Sequence, residues 1–361
     1  MPANTTRSCT RALGRFADLL HALLTNPGIL IRLDNETSTA TNPNENLGRE
    51  LLELYTVGVG HYTEGDVRQS ALLLTGHGVD NATMIYRFNP ADHHVGALQI
   101  MDFKTNNGTA AGGPEALKAY LTYLARHEGT AEHLARRFAV RFISDDPAQA
   151  TVDELAKVYL DNDTNLKALV RATLTHPDFA ASAGSKWRRP MEFLPTISRA
   201  SKISTFDPPG KFVPGRSGDL IKIGLWGNLI QSGQHVPRRW PDVDGYPDIA
   251  DYWNSAAATM AMWNAAQDAV LGDETESGLT KWSAVLGIKG GDNAMATAKR
   301  ITWDLTGWEF PDDDINRVAA LLASGGSSAA DVTSVVHPQN FESCISQAVR
   351  VTFASPFGFL R

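Results

Sequence analysis

The chain has 361 residues, of which 43% are hydrophobic and 20% charged, and its formal net charge is −7. This composition is sufficient for a buried core and excludes a wholly disordered chain. The acidic balance argues against a nucleic-acid partner, because binding to a phosphate backbone needs a clustered basic surface. No segment approaches the roughly 20 consecutive apolar residues of a transmembrane helix, so none is predicted.

The N-terminal segment MPANTTRSCTRALGR is expected to be disordered over residues 1–15. It contains basic residues but no apolar stretch followed by a small-residue cleavage site, so it carries no readable export signal. Cys9 and Cys344 stand near opposite ends of the chain. They could form one disulfide or remain two thiols, and the cysteine count leaves both open.

Apolar residues at helical spacing dominate the chain from residue 16 onward. The pattern predicts helices over residues 16–24 and 45–57. A third helix is predicted from Thr63 to about Thr75, because Thr63 and Asp66 have the spacing of a capping box and glycines come after the helix. Residues 79–114 are less regular and predict a short hairpin or an ordered loop.

The rest of the chain continues in helical patterns. Helices are predicted over 114–125, 130–143, 152–160, 165–175, from Pro190 onward, and over 220–231, 249–270, 294–305, 312–323 and 341–353. The Pro- and Gly-rich stretch at 206–218 indicates a linker, a lid or a sub-division, and 272–293 is predicted to be rich in loops. The expected fold is mainly α: one large multi-helix domain over 16–361, with long irregular loops and at most a minor hairpin.

The stretch NPNENLGRELLELYTVGVGHYTEGDVRQSALLLTGHG, residues 42–78, is unusually dense in ionisable groups. Glu45 and Arg49, Arg49 and Glu53, and Glu64 and Arg68 are each four residues apart, a spacing at which side chains meet on a helix. The pattern is typical of an antiparallel helical hairpin whose charged faces pair along or across it.

The alternative for this stretch is a catalytic or metal site. Glu50 and Glu53 are three residues apart and could hold a divalent cation or share a proton, with His61 and His77 as further ligands. The other candidate catalytic residues are Arg49, Asn44 and Asn46. The spacings of di-iron bundles and of zinc proteases are missing, as are a phosphate loop and a nucleophile elbow. The sequence therefore favours the polar hairpin.

A second constellation is RRWPDVDGYPDIADYW, residues 238–253. Trp240, Tyr246 and Trp253 could form a platform for a sugar or another flat ligand, with Asp244 binding its hydroxyl groups. A calcium loop is a weaker alternative, because the spacing and the terminal Glu of an EF-hand are missing. The plainer interpretation, which the sequence favours, is an Asp-Gly turn between helices that is pinned by buried tryptophans.

Both constellations resemble motifs of DUF1800, a large bacterial family of unknown function. Residues 44–76 match its pattern Asn-Glu-Asn, Arg-Glu-Leu-Leu-Glu-Leu, Thr-x-Gly and Tyr-Thr-Glu-x-Asp-Val. Residues 136–147, 232–255 and the ending VTFASPFGFLR are also similar. The chain departs from the family at His77, where members have Trp, and at KWRRP, which replaces Lys-Ser-Pro. Members normally have a further helical region upstream, so this chain is expected to be N-terminally short.

The resemblance implies a mostly α-helical protein whose full-length members are often exported to the periplasm or envelope. Family genes often neighbour those of an exported sulfatase- or phosphatase-like protein, which is the partner that the resemblance implies. No catalytic residues are carried over. We therefore predict a non-catalytic binding or assembly protein of the cell envelope. The alternative is a metal-dependent hydrolase or redox enzyme that uses the hairpin at 44–77, for which a divalent metal is the cofactor considered.

Overall fold

The structure is a computed structural model that describes residues 11–200, 235–237, 239–270, 281–324, 335–338 and 340–360. The chain divides into two compact units, Met1–Ser182 and Ala183–Arg361. Helices dominate both units, which confirms the mainly α fold class. A single domain over 16–361 stays a prediction. The predicted sub-division at 206–218, the helix at 220–231 and residues 1–10, with Cys9, lie outside the described residues.

The first unit is built mainly from helices. They are α1 (Phe16–Leu24), α2 (Pro27–Arg32), α3 (Asn46–Glu50), α4 (Glu64–Leu74), α5 (Gly113–Arg126), α6 (Glu128–Phe142), α7 (Gln149–Asp161), α8 (Leu166–Thr175) and α9 (Pro177–Ala181). Helix α3 continues directly into a π-helical turn, Leu51–Tyr55. Helix α1 packs on α5, and α6, α7 and α8 pack together. Their buried faces repeat with the helical period, as with Leu117, Leu121 and Leu124 on α5.

Local capping signals set where several of these helices begin. Asn26 accepts a hydrogen bond from the amide of Gly28 at 2.8 Å, and Pro27 occupies the first helical position of α2. Thr63 and Asp66 form the predicted capping box at the start of α4. Asn165 accepts from the amide of Ala168 at the start of α8. Each cap satisfies an amide that has no partner inside its helix. The starts of α4 and α8 were predicted, whereas the short helix α2 was not.

Two small antiparallel hairpins lie between α4 and α5. Strand β1 (His77–Asp80) pairs with β2 (Ile85–Phe88), and β3 (Leu98–Ile100) pairs with β4 (Phe103–Thr105). Gly76 turns the chain from α4 into β1 with φ +78°, and a Cβ there would lie 2.6 Å from the carbonyl oxygen of Asn89. Only glycine fits this position. The sequence predicted one minor hairpin or an ordered loop from residue 79, whereas the first hairpin begins two residues earlier.

The second unit surrounds its C-terminal helix. Its helices are α10 (Pro190–Ala200), α11 (Ala250–Trp253), α12 (Ala256–Val270), α13 (Trp282–Leu286), α14 (Ala294–Thr306), α15 (Asp312–Ser324) and α16 (Phe341–Ala354). Helix α16 packs against α12, α14 and α15. The core between them contains Met262, Ile301, Leu322 and Phe353, each fully buried. Cys344 is also buried, on α16.

Two predictions for this unit were wrong in detail. The helix predicted over 249–270 is two helices, because Asn254 ends α11 and the Ser255 hydroxyl accepts from the Ala258 amide at the start of α12. Helix α13 lies in a stretch predicted to be loop. Its five residues are too few to show a helical period, and it buries Trp282 and Val285 in the core. Tertiary burial stabilises this helix where local pattern does not.

Candidate functional site

The polar stretch at 42–78 folds as the predicted antiparallel hairpin of α3 and α4. The two backbones meet at Gly48, where a Cβ would lie 3.1 Å from the amide nitrogen of Ala71 and 3.2 Å from the carbonyl oxygen of Val67. Leu47 and Leu51 are fully buried beside this contact. The close approach of the backbones brings the charged rims of the two helices within reach of each other.

The charged residues of the hairpin pair mainly across it. The Arg49 guanidinium donates two hydrogen bonds of 2.7 Å to the two carboxylate oxygens of Glu64, and it lies 3.5 Å from Glu45. Arg68 lies 3.7 Å from Glu45. The hydrogen bonds from Arg49 lower the pKa of Glu64 and the same contact raises the pKa of Arg49. Of the three predicted pairs, Glu45–Arg49 is present, whereas Arg49 and Arg68 make their other ion pairs across the hairpin, with Glu64 and Glu45.

Glu53 has a partner that the sequence did not predict. It accepts a hydrogen bond of 2.8 Å from the Tyr62 hydroxyl. Partial burial and then this hydrogen bond raise the pKa of Tyr62 to about 12. Because the helix changes from α to π at Leu51, the α-helical alignment assumed for Glu50 and Glu53 does not apply. The π turn begins between these two carboxylates in the sequence and contains Glu53.

The two asparagine candidates lie at the entrance to the hairpin. The Asn44 side chain accepts from the Asn46 amide at 2.9 Å, and the Asn44 amide donates to the Ser38 hydroxyl at 3.0 Å. Asn46 is the first residue of α3 and is exposed. Asn44 therefore fixes the turn into α3, which is a sufficient structural role for it.

The two histidine candidates have different neighbours. His61 packs against Gly129 at the start of α6, and its ring centroid lies 6.3 Å from that of His127. His77 lies in the first hairpin among Tyr86, Phe88 and His93. Within the part of the chain that the structure describes, no group of three or more His, Cys, Asp or Glu residues is placed to hold a metal ion. Glu50, Glu53, His61 and His77 are thus not brought together in such a group.

His77 belongs to a buried polar cluster. It is 0% exposed, and its Nδ1 lies 2.8 Å from the Tyr86 hydroxyl. The Nδ1 of neighbouring His93 lies 2.8 Å from the Thr75 carbonyl oxygen, and its Nε2 lies 3.0 Å from Asn107 Oδ1. Burial, and then the nearby rings of His93 and His21, lower the pKa of His77 to about 3. The ring is therefore neutral at physiological pH and packs as a core side chain.

The aromatic loop, defined as residues 240–253, has a buried base in the second unit. Trp253 is 2% exposed and donates its indole N–H to the carbonyl of Pro247 at 2.6 Å. The Tyr246 hydroxyl donates to the carbonyl of Val236 at 2.9 Å. His235 packs against both rings, with centroid distances of 4.6 Å to Trp253 and 4.7 Å to Tyr246. Trp253 is thus a buried tryptophan of the kind expected in the predicted turn, whereas Trp240 is half-buried.

The rim of the aromatic loop is more open. Trp240 donates its indole N–H to Asp244 Oδ1 at 2.7 Å, and its ring centroid lies 5.0 Å from Tyr246 and 5.6 Å from Tyr252. Tyr252 is 38% exposed. All four predicted ligand-binding residues therefore come together in this loop. Tyr252, which was not among those four, belongs with them because its ring packs against both Trp240 and Trp253.

Two cationic side chains from outside the aromatic loop, Lys186 and Arg189, bind Asp248 on its buried side. Lys186 is only 3% exposed, and its Nζ donates to the carbonyl of Asp248 at 3.0 Å. Arg189 lies 3.7 Å from the Asp248 carboxylate and 2.8 Å from Glu192 on α10. The segment KWRRP, residues 186–190, thus supplies cations that fix this loop to the start of α10.

The family model described as "Protein of unknown function (DUF1800)" matches residues 4–357. The chain belongs to the DUF1800 family. The match extends over both units, so the helical hairpin and the aromatic loop of this DUF1800 protein are both family regions. Among curated proteins and among solved structures, none matches the chain significantly. Within the described ranges, no helix has the length and apolar character needed to cross a bilayer.

Sequence reasoning missed a cleft in the first unit of this DUF1800 protein. It has a volume of about 610 Å³ and is lined by residues of 11–21 and of 118–122. The two segments are far apart in the chain and are brought together by the packing of α1 on α5. The sequence signal that could have indicated it was the recurrence of basic residues at Arg11, Arg15 and His21.

Proposed function

We propose that this DUF1800 protein is a non-catalytic binding or assembly protein of the bacterial envelope. In this proposal the aromatic loop is the surface that contacts an exported sulfatase- or phosphatase-like partner. The observation that carries the proposal is the combination of a partly exposed aromatic rim, Trp240 and Tyr252, with a buried and internally hydrogen-bonded base.

The construction of the aromatic loop supports a contact role. Trp and Tyr are enriched at the energetic centres of protein interfaces, because they offer a large contact area and lose little side-chain freedom on binding. Here the rim rings rest on rings that are already held in place, so little ordering is left for the binding step. Asp242, Asp244 and Asp251 are exposed around them. This arrangement suits a partner surface with an apolar centre and basic residues at its edge.

The contacts of the helical hairpin support the same proposal. Arg49 and Glu64 satisfy each other, and Glu53 is bound by Tyr62. Ionisable groups that pair within their own hairpin stabilise its geometry. The polar stretch at 42–78 is accordingly assigned a structural role in this proposal, as the element that holds α3 on α4.

The test is reconstitution with the sulfatase- or phosphatase-like protein of the same organism. We expect the two purified proteins to form a complex in size-exclusion chromatography. The variant Tyr252→Ala should weaken it by about tenfold or more, as expected for a central aromatic contact. The matched control is Trp303→Ala, since Trp303 is an exposed aromatic residue of the same unit, 55% accessible, on α14.

Two results would contradict the proposal. If the wild-type proteins form no complex at micromolar concentration, the partner is wrong. If Tyr252→Ala and Trp303→Ala weaken the complex equally, the aromatic loop is not the contact surface. A tightly bound stoichiometric metal, together with hydrolase activity that chelation abolishes, would instead favour the enzyme hypothesis.

A further inference from the structure

The cleft between α1 and α5 has the size of a small-molecule site. Its volume of about 610 Å³ falls within the range of typical ligand pockets, which is roughly 300–1,000 Å³. The turn before α1 and one face of α1 form one wall, and Lys118 and Thr122 of α5 form the other. The cleft belongs to the first unit and the aromatic loop to the second, so a ligand in the cleft is independent of the proposed function.

The lining of the cleft is basic although the whole protein is acidic. Arg11, Arg15 and Lys118 line it with one carboxylate, Asp18, whereas the chain carries a net charge of −7. Arg15 lies 3.1 Å from Asp163, which is therefore its counter-ion. Within the described part of the chain, neither Arg11 nor Lys118 has a carboxylate within ion-pair distance. Among the described residues, two cations of one cleft thus lack an anionic partner.

The wall that carries Arg15 is held in place by the turn between α7 and α8. The Phe16 amide donates to the Thr164 carbonyl at 2.8 Å, and the Leu166 amide donates to the Gly14 carbonyl at 2.9 Å. Asp163 and Thr164 both have left-handed backbone conformations, with φ of 51° and 62°. Asp tolerates this conformation, but a β-branched residue such as Thr164 holds it only where its surroundings enforce it. The backbone that carries Arg15 is therefore held in a defined position.

The pKa of His21 is sensitive to the charges that line the cleft. Its ring is partly buried, and burial is the main cause that lowers its pKa. The charges of Lys118 and Arg11 lower the pKa further, and Asp18 opposes them. Arg11 and Lys118 thus act on the same point of the cleft from opposite walls.

We propose that this cleft binds the phosphate group of a small phosphorylated molecule, with Arg11 and Lys118 as its principal ligands. A guanidinium donates two parallel hydrogen bonds to phosphate oxygens, and an ammonium supplies a compact charge. A dianionic phosphate can balance the charges of both cations, whereas a carboxylate carries only one negative charge. Because the cleft is much larger than a phosphate ion, the remainder of the molecule occupies the space lined by the other residues, among them Ala17 and Thr122.

The experiment uses the full chain, prepared without phosphate, and two probes: inorganic phosphate and a hexose phosphate. Binding is measured by calorimetry and by the ¹H NMR signal of His21, assigned with His21→Gln. Both probes should raise the pKa of His21, because bound negative charge favours the imidazolium. The hexose phosphate should bind more tightly than inorganic phosphate and compete with it for the same site.

Charge-removing variants locate the site. Lys118→Gln should weaken binding of either probe about tenfold or more, because the phosphate then loses a hydrogen bond from a charged group. Arg11→Gln should do the same and serves as the second variant if Lys118→Gln does not fold. Lys104→Gln, which removes an exposed lysine from β4, should bind like the wild type.

The proposal is overturned if wild-type protein binds neither probe at millimolar concentration. It is equally overturned if Lys104→Gln weakens binding as much as Lys118→Gln, because the effect would then be one of net charge. Binding of inorganic phosphate with exclusion of the hexose phosphate would rule out a phosphorylated small molecule as the ligand.

Discussion

The helical hairpin and the aromatic loop look alike as sequences, since each is a long family motif crowded with polar or aromatic residues. Their structures use those residues in opposite ways. In the hairpin, the charged groups face one another across α3 and α4, and Arg49 reaches both carboxylate oxygens of Glu64. In the aromatic loop, the polar ends of Tyr246 and Trp253 bind backbone carbonyls inside, while Tyr252 is left partly exposed.

A stretch of sequence that is rich in ionisable or aromatic side chains therefore need not leave those side chains free to bind a ligand or partner. The hairpin carries more ionisable residues, yet Arg49 and Glu64 bind each other and Glu53 binds Tyr62. The aromatic loop satisfies its inner groups and leaves an outer surface open. Four substitutions test this contrast, and they are ordered by the size of the change in stability that we expect.

The largest effect is expected for Trp253→Ala. Trp253 is 2% exposed and packs against His235, Tyr246 and Tyr252, so its removal leaves a cavity at the base of the aromatic loop. We expect a loss of about 3–5 kcal/mol in the free energy of unfolding, measured by urea denaturation. Trp303→Ala, at a site 55% exposed, is the control and should cost less than about 1 kcal/mol. If both variants lost the same free energy of unfolding, Trp253 would not be a buried core residue of the aromatic loop.

The second effect concerns acid stability and His77. Its pKa in the folded state, about 3, lies below the ordinary value of 6.5, so the unfolded chain binds this proton more readily. The stability contributed by neutral His77 is complete above pH 6.5 and is lost as the pH falls toward 3. Between these two pH values, this residue lowers the free energy of unfolding by up to about 1.4 kcal/mol for each pH unit that the pH falls.

The variant His77→Phe removes this titration and keeps an aromatic ring in the cluster. We expect the free energy of unfolding to fall less steeply between about pH 6 and pH 4 in the variant than in the wild type. Urea denaturation at several pH values measures the two slopes. Parallel slopes would mean that His77 is not a buried neutral ring in the folded protein.

The third effect is the close contact of the hairpin backbones at Gly48. In Gly48→Ala the new methyl group would lie 3.1 Å from the Ala71 nitrogen, so α3 and α4 must move apart. We expect a loss of about 1–2 kcal/mol in thermal or urea unfolding, from overpacking. The control is Gly65→Ala at an exposed position of α4, where added helix propensity should give a gain of about 0.5 kcal/mol. A gain in both variants would contradict the close contact.

The smallest effect is expected for the ion pairs of the hairpin. Arg49→Gln removes both hydrogen bonds to Glu64, but Arg49 and Glu64 are solvent-accessible, with side-chain accessibilities of 35% and 62%. Such pairs contribute little to stability and are screened by salt. We expect a small decrease in melting temperature that shrinks at high ionic strength. A large decrease that is insensitive to salt would assign Arg49 a role beyond surface pairing.

Local signals made much of the helical architecture predictable. The bounds of α1 were predicted in full, because an apolar stripe ends at the Asn26-Pro27 pair that starts α2. The capping box of Thr63 and Asp66 was predicted because both partners lie within four residues. The π turn at Leu51–Tyr55 and the short helix α13 were not predictable, since packing overrides the local pattern in both.

The fold class, the family membership and most helix ends of this protein follow from the amino-acid sequence alone. Fold class and helix ends depend on residues within one or two helical turns of each other, where spacing and capping act directly. Three other features appear only in the folded protein: Glu53 binds Tyr62, His77 is buried, and Arg11 and Lys118 line the same cleft. These relations depend on how helices pack. Packing is set by the shapes of whole faces, which a linear pattern of residue types does not specify.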